Sequence, residues 1–124
     1  IQTLDRERLA SAIAHARDGA HRPPRLFVQI NIGNEPQKSG ALPENAPDII
    51  AFSRQKLGLP IEGLMCIPPA HNDPRPYFAR LVALGAAAKI FQFSMGMSGD
   101  FEVAIAAGAT HVRVGSAIFG ARSE

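Results

Sequence analysis

The segment IFQFSMGMSGDFEVAIAAGATHVRVG, residues 90–115, decides the fold. It opens on a short β-rich apolar run and passes through serine, two glycines and an acid. A stretch of helical periodicity follows from Phe101 to Ala107, then a glycine and a second apolar run. Two strands joined by one helix run parallel, because the helix carries the chain back along the sheet. The small residues between 94 and 100 raise a further question, since backbone so bare suggests that something approaches it closely.

The same unit recurs outward from this segment. Apolar runs stand at LFVQINI (26–32), IEGLMCI (61–67), IFQFS (90–94) and HVRVG (111–115), with IQTL (1–4) as a weaker fifth. Between them, apolar residues recur at three and four positions: Leu9, Ile13 and Ala16; Ile49, Phe52 and Leu57; Phe78, Leu81, Val82 and Leu84; Phe101, Ala104, Ile105 and Ala107. Gly19, Gly58, Gly85 and Gly108 follow these stretches as expected helix stops. Asp73-Pro74 reads as a helix start, and Asp5 and Asp100 place negative charge near helix beginnings. The order is therefore β-α-β-α-β-α-β-α-β with parallel strands. An open doubly wound sheet and a (β/α) barrel both satisfy it. The absence of a G-x-G-x-x-G turn after the first strand weighs against the open sheet.

The chain of 124 residues is long enough for one domain, 1–124. With 46% apolar and 19% charged residues it is composed as a globular protein. The net charge is +2 and the basic residues are scattered, which argues against nucleic acid as a partner. No apolar run is long enough to span a membrane, and charges at Asp5, Arg6, Glu7 and Arg8 argue against a signal peptide. A single cysteine, Cys66, in an apolar run fits a reducing cytoplasm and a buried structural role.

In α/β proteins chemistry gathers at the carboxyl ends of the strands. Ser94, Met95 and Gly96 at one such end, and Gly115 and Ser116 at the next, offer short donors without bulky walls. That pattern suits a phosphate and equally suits tight turns. Arg113 lies in an otherwise apolar strand, so it either pairs with a buried carboxylate or faces a ligand. GNEPQKSG (33–40) lacks the glycine that a nucleotide-binding P-loop requires at position 37. What remains there is Asn31 at a strand end and Lys38 on the following loop. His71 has no partner at metal-ligand spacing, and no nucleophile elbow is present. No metal site and no catalytic residue are assigned.

INIGNEPQKSG, GLMCIPP and FSMGMSGDFEVAIAAGATHVRVGSAIFG together resemble the pyridoxal phosphate homeostasis protein family, over essentially the whole chain. The resemblance implies a (β/α)8 TIM-barrel-type fold similar to the N-terminal domain of alanine racemase. It implies pyridoxal 5′-phosphate (PLP) as cofactor and a role as PLP carrier in vitamin B6 and amino-acid homeostasis without established catalysis. A fold-related PLP-dependent amino-acid racemase is the alternative. By the same resemblance Ser94, Met95, Gly96, Gly115 and Ser116 surround the phosphate, many members having threonine at the last position. Arg113 meets the pyridine nitrogen, Asn31 and Met65 face the cofactor, and Lys38 assists PLP entry or transfer. These residues then correspond to strands 4–8 of the barrel. Strands 1–3, with the Schiff-base lysine, are expected in an N-terminal part that this sequence does not include. PLP-dependent apoenzymes are implied partners, and open sheet edges would favour self-association.

Overall fold

The computed structural model describes residues 4–17 and 25–113. Strands β1 (Leu26–Ile30), β2 (Ile61–Cys66), β3 (Phe93–Met97) and β4 (His111–Arg113) form one parallel sheet in the order β1-β2-β3-β4. Helices α1 (Glu7–Arg17), α2 (Ala46–Ala51), α3 (Arg75–Ala87) and α4 (Phe101–Ala107) alternate with them. Leu4 makes one parallel bridge to Val28 on the free side of β1, so the expected opening strand is represented by its last residue. Residues 1–3, 18–24 and 114–124, including Gly19, Gly115 and Ser116, lie outside the described residues.

Each described strand pairs with its successor in sequence and the order never reverses. A doubly wound sheet has a reversal; a barrel does not. The curl of the sheet agrees. Strands β1 and β4 are separated by two others, which in a flat sheet places them roughly 14 Å apart. Yet the rings of Phe27 on β1 and His111 on β4 meet edge to face with centroids 5.1 Å apart. The sheet is wrapped around a concave inner face, as barrel closure requires.

Alternation sorts the side chains. Val28 pairs with Leu64, Leu64 with Phe93, and Ile30 with Cys66, and these residues share the helix-facing side. There they pack with Met95, Ala10, Ile50, Phe78, Leu81 and Ala104 into one buried cluster. Each fully buried aliphatic or aromatic side chain in it contributes about 1.5–3 kcal/mol. Phe27 pairs with Gly63, Gln29 with Met65, Met65 with Ser94, and Ser94 with His111, on the concave side. A Cβ at Gly63 would lie 2.5 Å from the Phe27 ring, so the bare backbone of β2 is the seat of that ring.

Several boundaries differ from the pattern in the sequence. The third strand begins at Phe93, not Ile90. The Ile90 N–H donates to the Gly85 carbonyl at 2.7 Å, closing α3, and Phe91 is 68% exposed. Gly85 does not end its helix. It sits inside α3, where a Cβ would meet Phe93 and the Ile90 carbonyl, and Lys89, with φ +57°, makes the left-handed turn. The second helix divides into α2 and a π turn over Phe52–Lys56. Asp73 receives the Arg75 N–H at 3.1 Å, one residue later than Asp-Pro placed the helix start. Ala16 is exposed, and Ile105 is 55% exposed on the outer side of α4, away from the expected apolar face.

Candidate functional site

Arg113 projects from β4 across β3 to β2. Its Nη1 donates to Ser94 Oγ at 2.6 Å and its Nη2 to the Cys66 carbonyl at 3.0 Å. The carboxylate partner considered as an alternative is not what holds it: among the described residues its hydrogen-bond partners are uncharged. Hydrogen bonds to a charged group stabilise by about 1.5–3 kcal/mol each. Burial lowers the Arg113 pKa from its ordinary value, opposed by the nearby Cys66 and Asp100; an arginine nevertheless stays protonated near neutrality. The result is a partly buried cation, fixed across β4, β3 and β2, with only two of its five N–H donors engaged by described residues. Cys66, fully buried beneath it, has its thiol pushed up to about 12 by burial, with Arg113 pulling it down and Asp100 pushing it up. It is an inert neutral group.

The expected phosphate residues divide by direction. Ser94, Met95 and Gly96 lie within β3 and not in a loop after it. Ser94 belongs to the concave face and is fully buried, whereas the Met95 side chain belongs to the helix-side core. Met95 can meet a ligand on the concave face only through its backbone. Gly96 has φ +99°, and a Cβ there would stand 2.5 Å from Ala104 Cβ and 3.3 Å from Phe101 Cα. What approaches this bare backbone is helix α4. Asp100 then folds back, its Oδ1 accepting the Met97 N–H at 2.7 Å. A cavity of about 310 Å³ lies beside these residues, lined by Pro68, Pro69, Asn72, Gly96, Met97 and Asp100.

On the concave face Met65 is buried on β2, beside Ser94 and between it and Gln29. The Asn31 side chain is engaged by its own loop: Nδ2 donates to the carbonyls of Glu35 at 2.7 Å and Lys38 at 3.4 Å, and Oδ1 accepts the Glu35 N–H at 3.0 Å. The resemblance implies that this amide faces the cofactor and that Lys38, on the following loop, assists PLP entry or transfer. Instead the loop is clamped at both ends. Ala41 returns to β1 through hydrogen bonds with Asn31 and Gln29, and Asp5 Oδ2 accepts the Gly40 N–H at 3.0 Å. Gly40 has φ +114° and sits so close to β1 that a Cβ would be 2.6 Å from Asn31 N. Lys38 Nζ pairs with Glu35 Oε2 at 2.7 Å. Beside it is a cavity of about 280 Å³ lined by Gln29, Ile30, Asn31, Lys38, Ser39 and Ile67.

Residues missed in the sequence are Phe27, His111, Glu35 and Asp5 as parts of this face and its loop. Their signal lies in partners distant in sequence. A further cavity of about 260 Å³ lies on the outer layer between α2 and α3. Its Arg54 already serves the fold, donating to the carbonyls of Ala88 and Ile61. Among the described residues no group of His, Cys, Asp or Glu could hold a metal ion, and no helix is long and apolar enough to cross a membrane.

A curled parallel sheet whose strand order never reverses defines a protein of the (β/α) barrel class. Residues 1–123 match the alanine racemase N-terminal domain model, and the chain belongs to that family. The pyridoxal phosphate homeostasis protein of Aquifex aeolicus is 37% identical over 98% of this chain and 58% of its own length. A crystal structure of an unknown protein from Bifidobacterium adolescentis is similar with a TM-score of 0.85 and 32% identity, covering 96% of this chain and 52% of that one. PipY of Synechococcus elongatus, solved with PLP bound, is similar with a TM-score of 0.76 and 28% identity, over 92% of this chain and 57% of that one. The chain thus spans little more than half the length of these relatives.

Proposed function

We propose that this chain is part of a PLP-binding barrel that carries the cofactor for vitamin B6 and amino-acid homeostasis and does no catalysis of its own. The observation that carries the reading is the Arg113 guanidinium, fixed on Ser94 within β3 and on the carbonyl of Cys66, the last residue of β2. It is supported by the name of the Aquifex relative and by the PLP bound to PipY. The donors fit the cofactor: a fixed cation for the pyridine nitrogen, and the backbone and hydroxyl at Ser94–Gly96 for the phosphate; the resemblance adds Gly115 and Ser116, which lie outside the described residues. Arginine does not release its proton near neutral pH, so it leaves the ring nitrogen as an unprotonated acceptor. A ring in that state is a poor electron sink, which suits holding the cofactor better than turning it over. When bound, PLP supplies an aldehyde able to react with amines.

In this reading residues 1–124 form the carboxyl-terminal part of one barrel domain, and the lysine that bonds the aldehyde comes from a preceding segment. PLP-dependent apoenzymes are the recipients and the cytoplasm is the compartment. Among the described residues the edges of the sheet, at Leu4 and β4, have no further strand beside them, and copies would associate there. The racemase alternative rests on the family's name. It needs a second acid–base group over the ring. The single tyrosine, Tyr77, is held at the start of α3, its hydroxyl accepting from Asn72 at 2.9 Å.

Absorption spectroscopy during PLP titration tests the reading. A saturable spectral change lost in Arg113→Met, with no racemisation of alanine, is the expected result. Unaltered PLP binding in that variant would refute the assignment of Arg113, and racemase turnover would refute the carrier role.

A further inference from the structure

We propose that the end of the sheet where the strands begin, opposite the candidate ligand site, is a docking surface for an acidic peptide segment of a partner protein. Arg54, Lys56 and Lys89 take its carboxylates, and Phe91 with the cavity beside Arg54 takes its apolar side chains. The proposal does not depend on the cofactor reading.

Basic residues scattered in the sequence are gathered here by the fold. Arg54 and Lys56 lie in the π turn that leads to β2, Lys89 follows α3, and Arg25 precedes β1. Contacts join them into one surface. Arg54 Nη1 donates to the Ala88 carbonyl at 2.8 Å and its Nη2 to the Ile61 carbonyl at 3.0 Å, so the guanidinium bridges the end of α3 and the start of β2. Next along β2, Glu62 pairs with Arg25 at 3.6 Å. Arg54, Lys56 and Lys89 have no ion pair among the described residues. The cavity of about 260 Å³ between α2 and α3 opens beside Arg54 and Ala88, with Ile50 and Leu84 in its walls.

Two features at this end oppose the stability of the fold. Lys89 holds a left-handed backbone, φ +57°, where glycine would be less strained, and its side chain is exposed. Phe91 is 68% exposed while Ile90 and Phe93 on either side are buried. Neither side chain is explained by packing, and both adjoin the residue that Arg54 holds. Retained strain of this kind points to function. Aromatic residues and arginine are also the types that dominate binding at protein interfaces. Arg54 is already ordered by its two carbonyls, so docking does not have to fix it. A peptide fits better than a nucleic acid. The cations are few and stand beside Glu62, which repels a continuous run of phosphates, whereas an acidic segment needs only a few carboxylates and an apolar side chain.

The test is a titration of the 15N-labelled chain with a blocked pentapeptide in which one phenylalanine is flanked on each side by two glutamates. Shifts are expected at the amides of Arg54, Lys56, Ala88, Lys89 and Phe91 at about 0.01 M salt, and are expected to fade toward about 1 M, where charges are screened. Lys89→Gly is expected to weaken binding by roughly two- to fivefold. Its thermal midpoint should not fall, because the left-handed turn is relieved, so the loss cannot come from misfolding. Phe91→Ser, at an exposed position, is expected to weaken binding by roughly two- to tenfold. Unchanged affinity in both variants overturns the proposal. So does equal binding of the peptide with lysines in place of glutamates, or the absence of any shift at low salt. A single-stranded oligonucleotide bound more tightly at the same residues would assign the surface to nucleic acid. Shifts at Phe91 that depend on protein concentration alone would assign it to a second copy. Either result overturns the acidic segment as occupant.

Discussion

Gly96→Ala isolates the demand that the fold makes on the strand end at Ser94–Gly96. The glycine has φ +99°, and an added Cβ would lie 2.5 Å from Ala104 Cβ and 3.3 Å from Phe101 Cα. Left-handed backbone costs a non-glycine residue about 1–2 kcal/mol. Carbon atoms pack best at roughly 3.5–4.0 Å, so α4 must retreat by about 1 Å, and overpacking of this kind costs about 1–3 kcal/mol. The two terms sum to about 2–5 kcal/mol. Domains of this size have a total stability of roughly 6–18 kcal/mol, and each kcal/mol shifts Tm by about 3–6 °C. A fall in Tm of about 6–30 °C is therefore expected, read by circular dichroism and checked by urea denaturation.

Gly99→Ala is the internal control. Nothing lies within 4 Å of a Cβ at Gly99, and its backbone is not left-handed. Its stability should stay within about 0.5 kcal/mol of the parent. Adding Ala104→Gly to Gly96→Ala should relieve the contact with Ala104 and leave the backbone term. Equal destabilisation by the alanines at 96 and 99 would refute the reasoning, because it would mean that α4 does not rest on Gly96.

Other perturbations separate the remaining interactions. Ser94→Ala removes the acceptor of Arg113 Nη1 and should destabilise by about 1–3 kcal/mol in urea; an unchanged midpoint would show that the guanidinium does not depend on it. Asn31→Ala should speed amide hydrogen exchange at Glu35, whose N–H it binds, while exchange across β2 and β3 stays slow. Because burial raises the Cys66 thiol from 9.0 to about 12, the folded chain keeps a proton that the unfolded chain loses between those values. Stability should then fall with rising pH in that window by up to about 1.4 kcal/mol per unit relative to Cys66→Ala, and should not differ in slope below it; parallel slopes would exclude the buried thiol as the cause. Borohydride reduction after incubation with PLP should leave pyridoxyl label absent or spread thinly over Lys38, Lys56 and Lys89. Near-stoichiometric label on Lys38 would make that lysine the covalent anchor.

The parallel strand–helix alternation was legible because both its periods are local. Residues two apart in FVQI, or three and four apart in FARLVAL, declare their faces without reference to the rest of the chain. The displaced start of β3 was not legible. IFQF reads as strand, but Ile90 closes α3 through Gly85, and the left-handed turn that permits this is made by Lys89, where no glycine marks it. In the candidate site, Ser94 and Arg113 stood out as polar residues in apolar strands. The engagement of Asn31 with its own loop did not, because the same amide at a strand end serves a ligand or a loop equally well. Phe27 meets His111 only through the curl of the sheet, a long-range property with no local trace.

The same atoms at the strand ends serve both the fold and the candidate ligand site. Arg113 ties β4 to β3 and β2 through Ser94 and the Cys66 carbonyl, so its charge is in place before any ligand arrives. Gly96 admits α4, and the close helix in turn fixes the direction of the strand end carrying Ser94. A charge free to swing would have to be ordered on binding, and ordering one long side chain opposes association by about 0.5–1.5 kcal/mol. Here folding has already ordered it. The converse holds at Lys38, where the backbone is fixed and the side chain is held only by an ill-aligned pair with Glu35. Arg113 is thus held by two hydrogen bonds across the sheet, and Lys38 by one ion pair within its own loop.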